Sequence, residues 1–208
     1  MVLKQKLLEA AEKNPEWVKN NIQLGERIST NLAAKTFCYQ IDDLELYKIF
    51  RNGLTDNEFY LELFNRLRLR RNQYIPQIFG ETRIADLSRA IELGVGECLE
   101  KAILVQLAKQ EETDAFFIMG ILRHDNMRGG IPHAFNVVYT DGKPFLIDAE
   151  NPVIIRDGDK KIEVPYIVPI SDFDGIDFLV DEYYRAGRTY GLDIVRGEPK
   201  GKSILDLF

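Results

Sequence analysis

The segment Gly94-Val95-Gly96-Glu97-Cys98-Leu99-Glu100-Lys101-Ala102 decides how the rest of this sequence can be interpreted. Two glycines allow a tight approach to Cys98, and the apolar run over residues 99–108 predicts a helix that begins at this cysteine. The first N–H groups of a helix lack intrahelical acceptors and lie at its positive end, which favours a thiolate or an oxyanion there. Glu97 and Glu100 oppose this effect, because nearby negative charge disfavours a thiolate.

Composition narrows the class of protein. The chain has 208 residues, 45% of them hydrophobic, which suits one domain or a domain with an appended lobe. Its formal net charge of −6 is the opposite of the basic footprint expected for a nucleic-acid partner. With two cysteines, Cys38 and Cys98, it has neither a disulfide framework nor a cysteine-rich zinc site.

The sequence shows no signal-peptide core and no apolar run long enough to span a bilayer. It therefore predicts a cytoplasmic protein without a membrane partner. An effector that is exported without a cleaved signal would look the same.

The first half of the chain is predicted to be helical. Asn14-Pro15 has the sequence of a helix start, and Thr55 with Glu58 has the pattern of a capping box. Helices are predicted over residues 3–13, 15–24, 23–34, 56–71 and 85–93, with a loop at 73–77. We therefore expect a helical lobe over residues 1–92 packed on a core over 93–208 that ends in a C-terminal extension, the two forming one compact unit.

The second half changes to strands. They are predicted over residues 115–119, 134–139, 143–147, 153–156 and 162–168. Asp141-Gly142 between two apolar runs is a strong hairpin signal. Helices followed by a meander of strands indicate an α+β fold, in which the Cys98 helix packs on an antiparallel sheet.

This hairpin brings a histidine and an aspartate together. A two-residue turn at Asp141-Gly142 sets a register in which His133 lies opposite Glu150. His133 and Asp148 are then diagonal neighbours on one face, about 7–8 Å apart at the backbone. If the Cys98 helix packs on that face, the three side chains can serve as nucleophile, base and orienting group. The alternative is a buried histidine satisfied by an aspartate, with the cysteine in the core elsewhere.

Three motifs in this order resemble the transglutaminase-like superfamily. Gly96-Glu97-Cys98 opens an apolar helix, His133-Ala134-Phe135-Asn136 follows, and Leu146-Ile147-Asp148 comes last, with Pro152 just after. The resemblance covers residues 93–152. It implies a papain-like arrangement, with the cysteine on a helix and the histidine and aspartate on adjacent strands.

The resemblance also implies an activity. Cys98, His133 and Asp148 would form the triad of an amide hydrolase or acyltransferase that acts through a thioester on a peptide or protein amide, without a cofactor or metal. Water would make the protein a protease or glutamine deamidase, and an amine would make it a crosslinking transglutaminase. Gln73 and Gln77 have the right chemistry for a further oxyanion donor. The alternative function is a binding module that keeps the fold without turnover.

The departures from the family pattern do not affect these three residues, but they leave the subfamily unassigned. Phe135 stands where members often have tryptophan, and Ala149-Glu150 stands where they often have Pro-Thr.

Other clusters give weaker hypotheses. Cys98, His124 and His133 could hold zinc, with His124 in a predicted loop, but a fourth protein ligand is not evident. Residues 172–177 resemble a calcium loop but lack its fifth-position ligand and place the glycine two positions early, so they are predicted to form a turn and a helix start. Cys38 is predicted to be a core residue. Four arginines at the end of a predicted helix are either mostly solvated or a docking patch for an anionic partner: Arg66, Arg68, Arg70 and Arg71.

Overall fold

The computed structural model describes residues 2–30, 37–124, 130–157, 160–170 and 188–191. The helices are α1 (Val2–Lys13), α2 (Lys48–Arg51), α3 (Asp56–Arg66), α4 (Ile75–Phe79), α5 (Leu87–Glu92) and α6 (Cys98–Lys109). The strands are β1 (Val18–Lys19), β2 (Arg27–Ser29), β3 (Cys38–Gln40), β4 (Ile84–Asp86), β5 (Ala115–His124), β6 (Gly130–Thr140), β7 (Lys143–Asp157), β8 (Lys160–Pro169) and β9 (Arg188–Gly191). This mixture of helices and an antiparallel sheet confirms the predicted α+β class.

The main sheet is antiparallel, in the order β1-β5-β6-β7-β8, and β9 also pairs with β5. Its central hairpin has the predicted register, since Thr140 pairs with Lys143. Asp141 and Gly142 both have positive φ, +50° and +74°, which matches the twist of a two-residue hairpin turn. The predicted strands 143–147 and 153–156 are one strand, β7, with a register shift between Asp148 and Pro152.

Helix α6 lies inside the molecule, and residues 99–109 are all buried. Ala134 and Val138 share a hydrophobic core with α6, whereas Phe135 and Val137 belong to a second core that contains residues of α1. The sheet therefore separates the two helices. The Nδ2 of Asn136 donates to the carbonyl oxygen of Ala102 at 3.0 Å, which fixes α6 against β6.

One packing expectation needs correction. By alternation along β6, His133 belongs to the same face as Phe135, which is the face that α1 covers. The hydrogen-bonded pairing of β6 with β7 ends at Asn136 and Ile147, just before His133 and Asp148. The two side chains thus lie where the strands stop pairing, and α6 does not cover the regular sheet face that carries them.

The N-terminal part is less helical than the sequence suggests. Helices α1, α3 and α5 confirm the predictions over 3–13, 56–71 and 85–93, although α3 ends five residues early, at Arg66, and the first two residues of the third prediction belong to β4. The predicted helix over 15–24 is wrong, because Val18 pairs with Ile118 in the main sheet and is fully buried there. Tertiary pairing here outweighs the local helix-start signal.

Two further local predictions also fail. Residues 27–29 of the predicted 23–34 helix form β2, which pairs with β3 in a small sheet of order β2-β3-β4; residues 31–34 lie outside the described part. The predicted loop at 73–77 begins with the last residue of a 3-10 turn, Arg71–Gln73, and continues into α4, with Pro76 in its first turn. Proline suits that place because its missing N–H would have no intrahelical acceptor.

Candidate active site

Cys98 is the first residue of α6 and is half-buried. The preceding loop is held by Leu69, whose N–H donates to Gly94 O and whose carbonyl oxygen accepts from Gly96 N, each at 3.1 Å. Glu97 and Glu100 form a capping box, in which each carboxylate accepts from the backbone N–H of the other. The capping box uses those two N–H groups, so the remaining donors of the first turn are the N–H groups of Cys98 and Leu99.

His133 and Asp148 are in direct contact, as the hairpin register predicts. The Nε2 of His133 lies 2.8 Å from Oδ2 of Asp148, and the aspartate is fully buried. The other oxygen, Oδ1, accepts from the backbone N–H groups of Glu150 and Asn151 at 3.0 and 3.1 Å. These donors come from the irregular part of β7, which therefore wraps the backbone around the carboxylate and holds its orientation.

Asn151 is a site residue that sequence reasoning missed. Its Nδ2 donates to Oδ2 of Asp148 at 2.7 Å and lies 3.1 Å from Nε2 of His133. The oxygen is the shared acceptor of both nitrogens, since a ring nitrogen that donates to the carboxylate cannot also accept from the amide. The one signal in the sequence was the departure from the family pattern just after Asp148, which marks an altered turn without showing its contacts.

The charge of His133 depends on two neighbours. Burial lowers the pKa of this histidine, but the negative charge of Asp148, the neighbouring Cys98 and hydrogen bonds to both residues outweigh burial and raise the pKa to about 10. Because Asp148 occupies Nε2, the Nδ1 atom is the ring nitrogen available to the sulfur. The described geometry thus brings together all three predicted triad residues, with the imidazole charged at neutral pH.

A buried ion-pair network surrounds the first turn of α6. The carboxylate of Glu100 is fully buried and binds Arg71 twice, with Nε to Oε1 at 2.5 Å and Nη2 to Oε2 at 3.0 Å. The hydroxyl of Tyr39 also donates to this carboxylate, at 2.7 Å. The same guanidinium reaches Oε2 of Glu97 at 3.4 Å. One arginine therefore pairs with both glutamates that flank the cysteine.

A second ion-pair group links α6 to the residues after Asp148. Lys101 is buried and forms an ion pair with Glu150, whose Oε1 also lies 3.1 Å from Nη1 of Arg70. Burial raises the pKa of Glu150 above its usual value, although Lys101 and Arg70 counteract this. Glu150, predicted to lie opposite His133, is instead bound to these two cations.

The two glutamines predicted as oxyanion donors are exposed. The backbone N–H of Gln73 donates to Arg70 O and the carbonyl oxygen of Gln77 accepts from Arg89, so neither of these hydrogen bonds involves Cys98. Cys38 is half-buried in β3, between Ser29 and Ile84.

The arginine cluster divides into two kinds of side chain. Three of its members are exposed, Arg66, Arg68 and Arg70. The fourth, Arg71, is mostly buried and paired, so the expectation of a solvated side chain is wrong for it. The sequence pattern could not distinguish the two kinds, because the partner of Arg71 is 29 residues away.

The metal candidates receive no support from the described residues. Within them, no three His, Cys, Asp or Glu side chains are placed to hold a metal ion. His124 ends strand β5 and is therefore not in a loop as predicted, while its side chain and the calcium-like segment 172–177 lie outside the description. Across the same described ranges, no helix combines the length and apolar character needed to cross a membrane.

Comparison with known proteins gives no match. No protein-family model, curated protein or solved structure matches this chain. The resemblance to the transglutaminase-like superfamily therefore depends on the motifs around Cys98, His133 and Asp148 alone.

Proposed function

We propose that this protein is a cysteine-nucleophile amide hydrolase or acyltransferase of the transglutaminase-like, papain-like type. The supporting observation is the placement of His133, which is buried, lies 2.8 Å from Asp148 and has Cys98 as its other neighbour in the site. A nucleophile, a base and an orienting group in contact are the minimum that this chemistry needs. The substrate would be a peptide or protein amide. Both cysteines are free, which suits a reducing cytoplasm.

The first half-reaction would form a thioester. His133 holds the proton of the Cys98 thiol, and the sulfur attacks the carbonyl carbon of the amide, forming a C–S bond. Negative charge develops on the carbonyl oxygen, where the N–H groups of Cys98 and Leu99 at the helix start can stabilise it. When the C–N bond breaks, His133 gives its proton to the departing amine or ammonia.

The second half-reaction would release the acyl group. The neutral imidazole removes a proton from water or from an amine, whose oxygen or nitrogen attacks the thioester carbonyl. The C–S bond then breaks and returns the thiolate beside the charged ring. Asp148 keeps the ring oriented through both steps and remains a carboxylate, because donors from Glu150 and Asn151 stabilise its charge.

The first test measures the reactivity of the Cys98 thiol and does not require a known substrate. Native protein is treated with iodoacetamide at pH 6, where an ordinary cysteine of pKa about 8.5 is mostly protonated, and peptides are quantified by mass spectrometry. We expect Cys98 to be labelled much faster than Cys38, which is also half-buried and serves as an internal control. His133→Gln should remove the advantage of Cys98. Preferential labelling of Cys38 would contradict the assignment.

The second test measures turnover. Wild type and Cys98→Ala are incubated with a proteome in EDTA, and mass spectrometry scans for new peptide termini, deamidated glutamines and crosslinks. Loss of a catalytic nucleophile costs about 10⁶-fold in rate, so Cys98→Ala should show only background. If wild type also shows only background across varied proteomes, the binding-module function becomes the better proposal. If activity needs added zinc, the thiol mechanism is wrong.

A further inference from the structure

The cysteine at the start of α6 has two glutamates beside it. Glu97 is the residue before it, and Glu100 lies in the same helical turn. A carboxylate this close opposes the formation of a thiolate, whereas the helix start favours it. For Glu100 the effect should be large, because the side chain is fully buried and water does not screen it.

Arg71 meets both of these carboxylates. It binds Glu100 through Nε and Nη2, at 2.5 and 3.0 Å, and its Nη2 lies 3.4 Å from Glu97. Burial would raise the pKa of Glu100, but the charge and hydrogen bonds of Arg71, with hydrogen bonds from Tyr39 and Glu97 N–H, hold it below its usual value. Glu100 is therefore ionised, and its charge is balanced at short range.

The carboxylates and the cations around this helix end are equal in number. They come from α6, from the segment after α3, from the end of β6 and from the irregular part of β7. The carboxylates are Glu97, Glu100, Asp148 and Glu150, and the cations are Arg70, Arg71, Lys101 and protonated His133. Tyr39 faces Glu100 as a neutral phenol, since burial and that carboxylate raise its pKa. Loss of Arg71 would leave one uncompensated negative charge near the sulfur.

We propose that Arg71 is a positioning residue of the Cys98 site, which neutralises Glu100 so that the start of α6 can hold a negatively charged sulfur. The inference rests on the proposed function, because it assumes that Cys98 reacts as a thiolate. It assigns to Arg71 an electrostatic role beyond joining two segments of the chain. Arg70 is the matched comparison, since it is the neighbouring arginine and pairs with Glu97 and Glu150 but is exposed.

The test is the pH dependence of Cys98 alkylation by iodoacetamide, measured on full-length protein. Arg71→Met should move the midpoint upward by about one pH unit or more, because Glu100 then acts on the sulfur without a counter-charge. Arg71→Met combined with Glu100→Gln should return the midpoint to the wild-type value. Arg70→Met should move it less, since water screens an exposed charge. A purely structural role would lower stability without moving the midpoint in the folded protein.

Glu100→Gln alone provides a test that does not depend on the folding of Arg71→Met. It leaves Arg71 uncompensated near the sulfur, so the midpoint should move downward. If the midpoint is unchanged in both single variants, Arg71 does not have this role, and the proposed function still stands. If Arg71→Met does not fold, an unchanged midpoint in Glu100→Gln leads to the same conclusion. A wild-type midpoint near 8.5, the value of a free cysteine, would instead remove the proposed function.

Discussion

The two ends of helix α6 carry the same kinds of charged side chain in different surroundings. At the first turn, Glu100 is fully buried against Arg71. At the last turn, Lys109 is also buried, with Nζ 2.6 Å from Asp56 and 2.9 Å from Glu112, but those carboxylates keep 38% and 44% of their side-chain surface exposed. The Glu100–Arg71 pair is thus shielded from water, whereas the carboxylates that bind Lys109 reach water.

This difference indicates what each network does. At the last turn, Arg51 donates to the carbonyl oxygen of Ala108 at 3.3 Å and pairs with both Asp56 and Glu112, which is a conventional helix end. Ion pairs of this kind add little stability, because water already solvates the carboxylates. At the first turn, burial strengthens the charge interaction between Glu100 and Arg71. We infer that the buried network serves the cysteine, and the exposed one serves the helix.

The largest expected effect on stability comes from breaking the buried pair. Arg71→Met leaves the carboxylate of Glu100 unpaired in the interior, which should lower the free energy of unfolding by about 3–5 kcal/mol. Urea denaturation measures this loss of stability. Arg71→Lys keeps the charge but loses the two-point contact, so its free energy of unfolding should lie between those of wild type and Arg71→Met. A loss below about 1 kcal/mol would mean that the two helix ends are energetically alike.

The next effect concerns the charge of His133. Asp148→Asn keeps the shape of the side chain but removes the negative charge, so burial is then opposed mainly by Cys98, and the histidine pKa should fall from about 10 by about 1–3 pH units. NMR titration of the labelled imidazole measures this change. A titration midpoint that does not move would show that Asp148 does not hold the ring in its charged form.

The same pKa sets a pH window for stability. The folded-state pKa lies above the ordinary value of 6.5, so the charged ring stabilises the fold fully below about pH 6.5, and this contribution is lost as the pH rises through about 10. Wild type should therefore lose more stability than Asp148→Asn across this window.

The two regions around the site also differ in how well the sequence predicts them. The contact of His133 with Asp148 was predictable, because the two-residue turn fixes the register of both strands as far as Asn136 and Ile147, close to these two residues. The role of Asn151 was not, since it depends on an irregular stretch that breaks the register. Arg71 was misjudged for a different reason, as its partner is distant in sequence and its burial is a property of the assembled fold.

The N-terminal errors have a related physical origin. The short strands β1 and β2 exist because a partner strand satisfies their backbone groups, and elements of two or three residues carry almost no periodic signal. The turn at Asn14 shows the ambiguity, because its carbonyl oxygen accepts from Trp17 and Val18 after the end of α1, where a helix start was predicted. Long apolar runs such as α6 leave less choice and were predicted correctly.

Gly96 tests the close packing that places the first turn of α6. A Cβ added there would lie 2.4 Å from Cβ of Leu67, so Gly96→Ala forces a backbone shift and should cost about 1–3 kcal/mol. Cys98 labelling should slow as well, since this loop leads directly into the cysteine. Adding Leu67→Ala should not restore the stability of Gly96→Ala, because alanine keeps the clashing Cβ atom. Restored stability would show that the clash does not involve the Cβ atom of Leu67.

The smallest expected effect is at the last turn of α6 and completes the comparison. Lys109→Met removes the buried ammonium, but Asp56 and Glu112 remain accessible to water and still paired with Arg51, so the loss of stability should be about 1 kcal/mol or less. The pH midpoint of Cys98 alkylation should not move, because Lys109 lies at the opposite end of the helix, about 16 Å from the first turn at 1.5 Å per residue. Urea denaturation and the iodoacetamide profile test the two statements separately. A midpoint that moved as far as in Arg71→Met would show that the charge of the whole helix, and not the buried pair at its start, controls the cysteine.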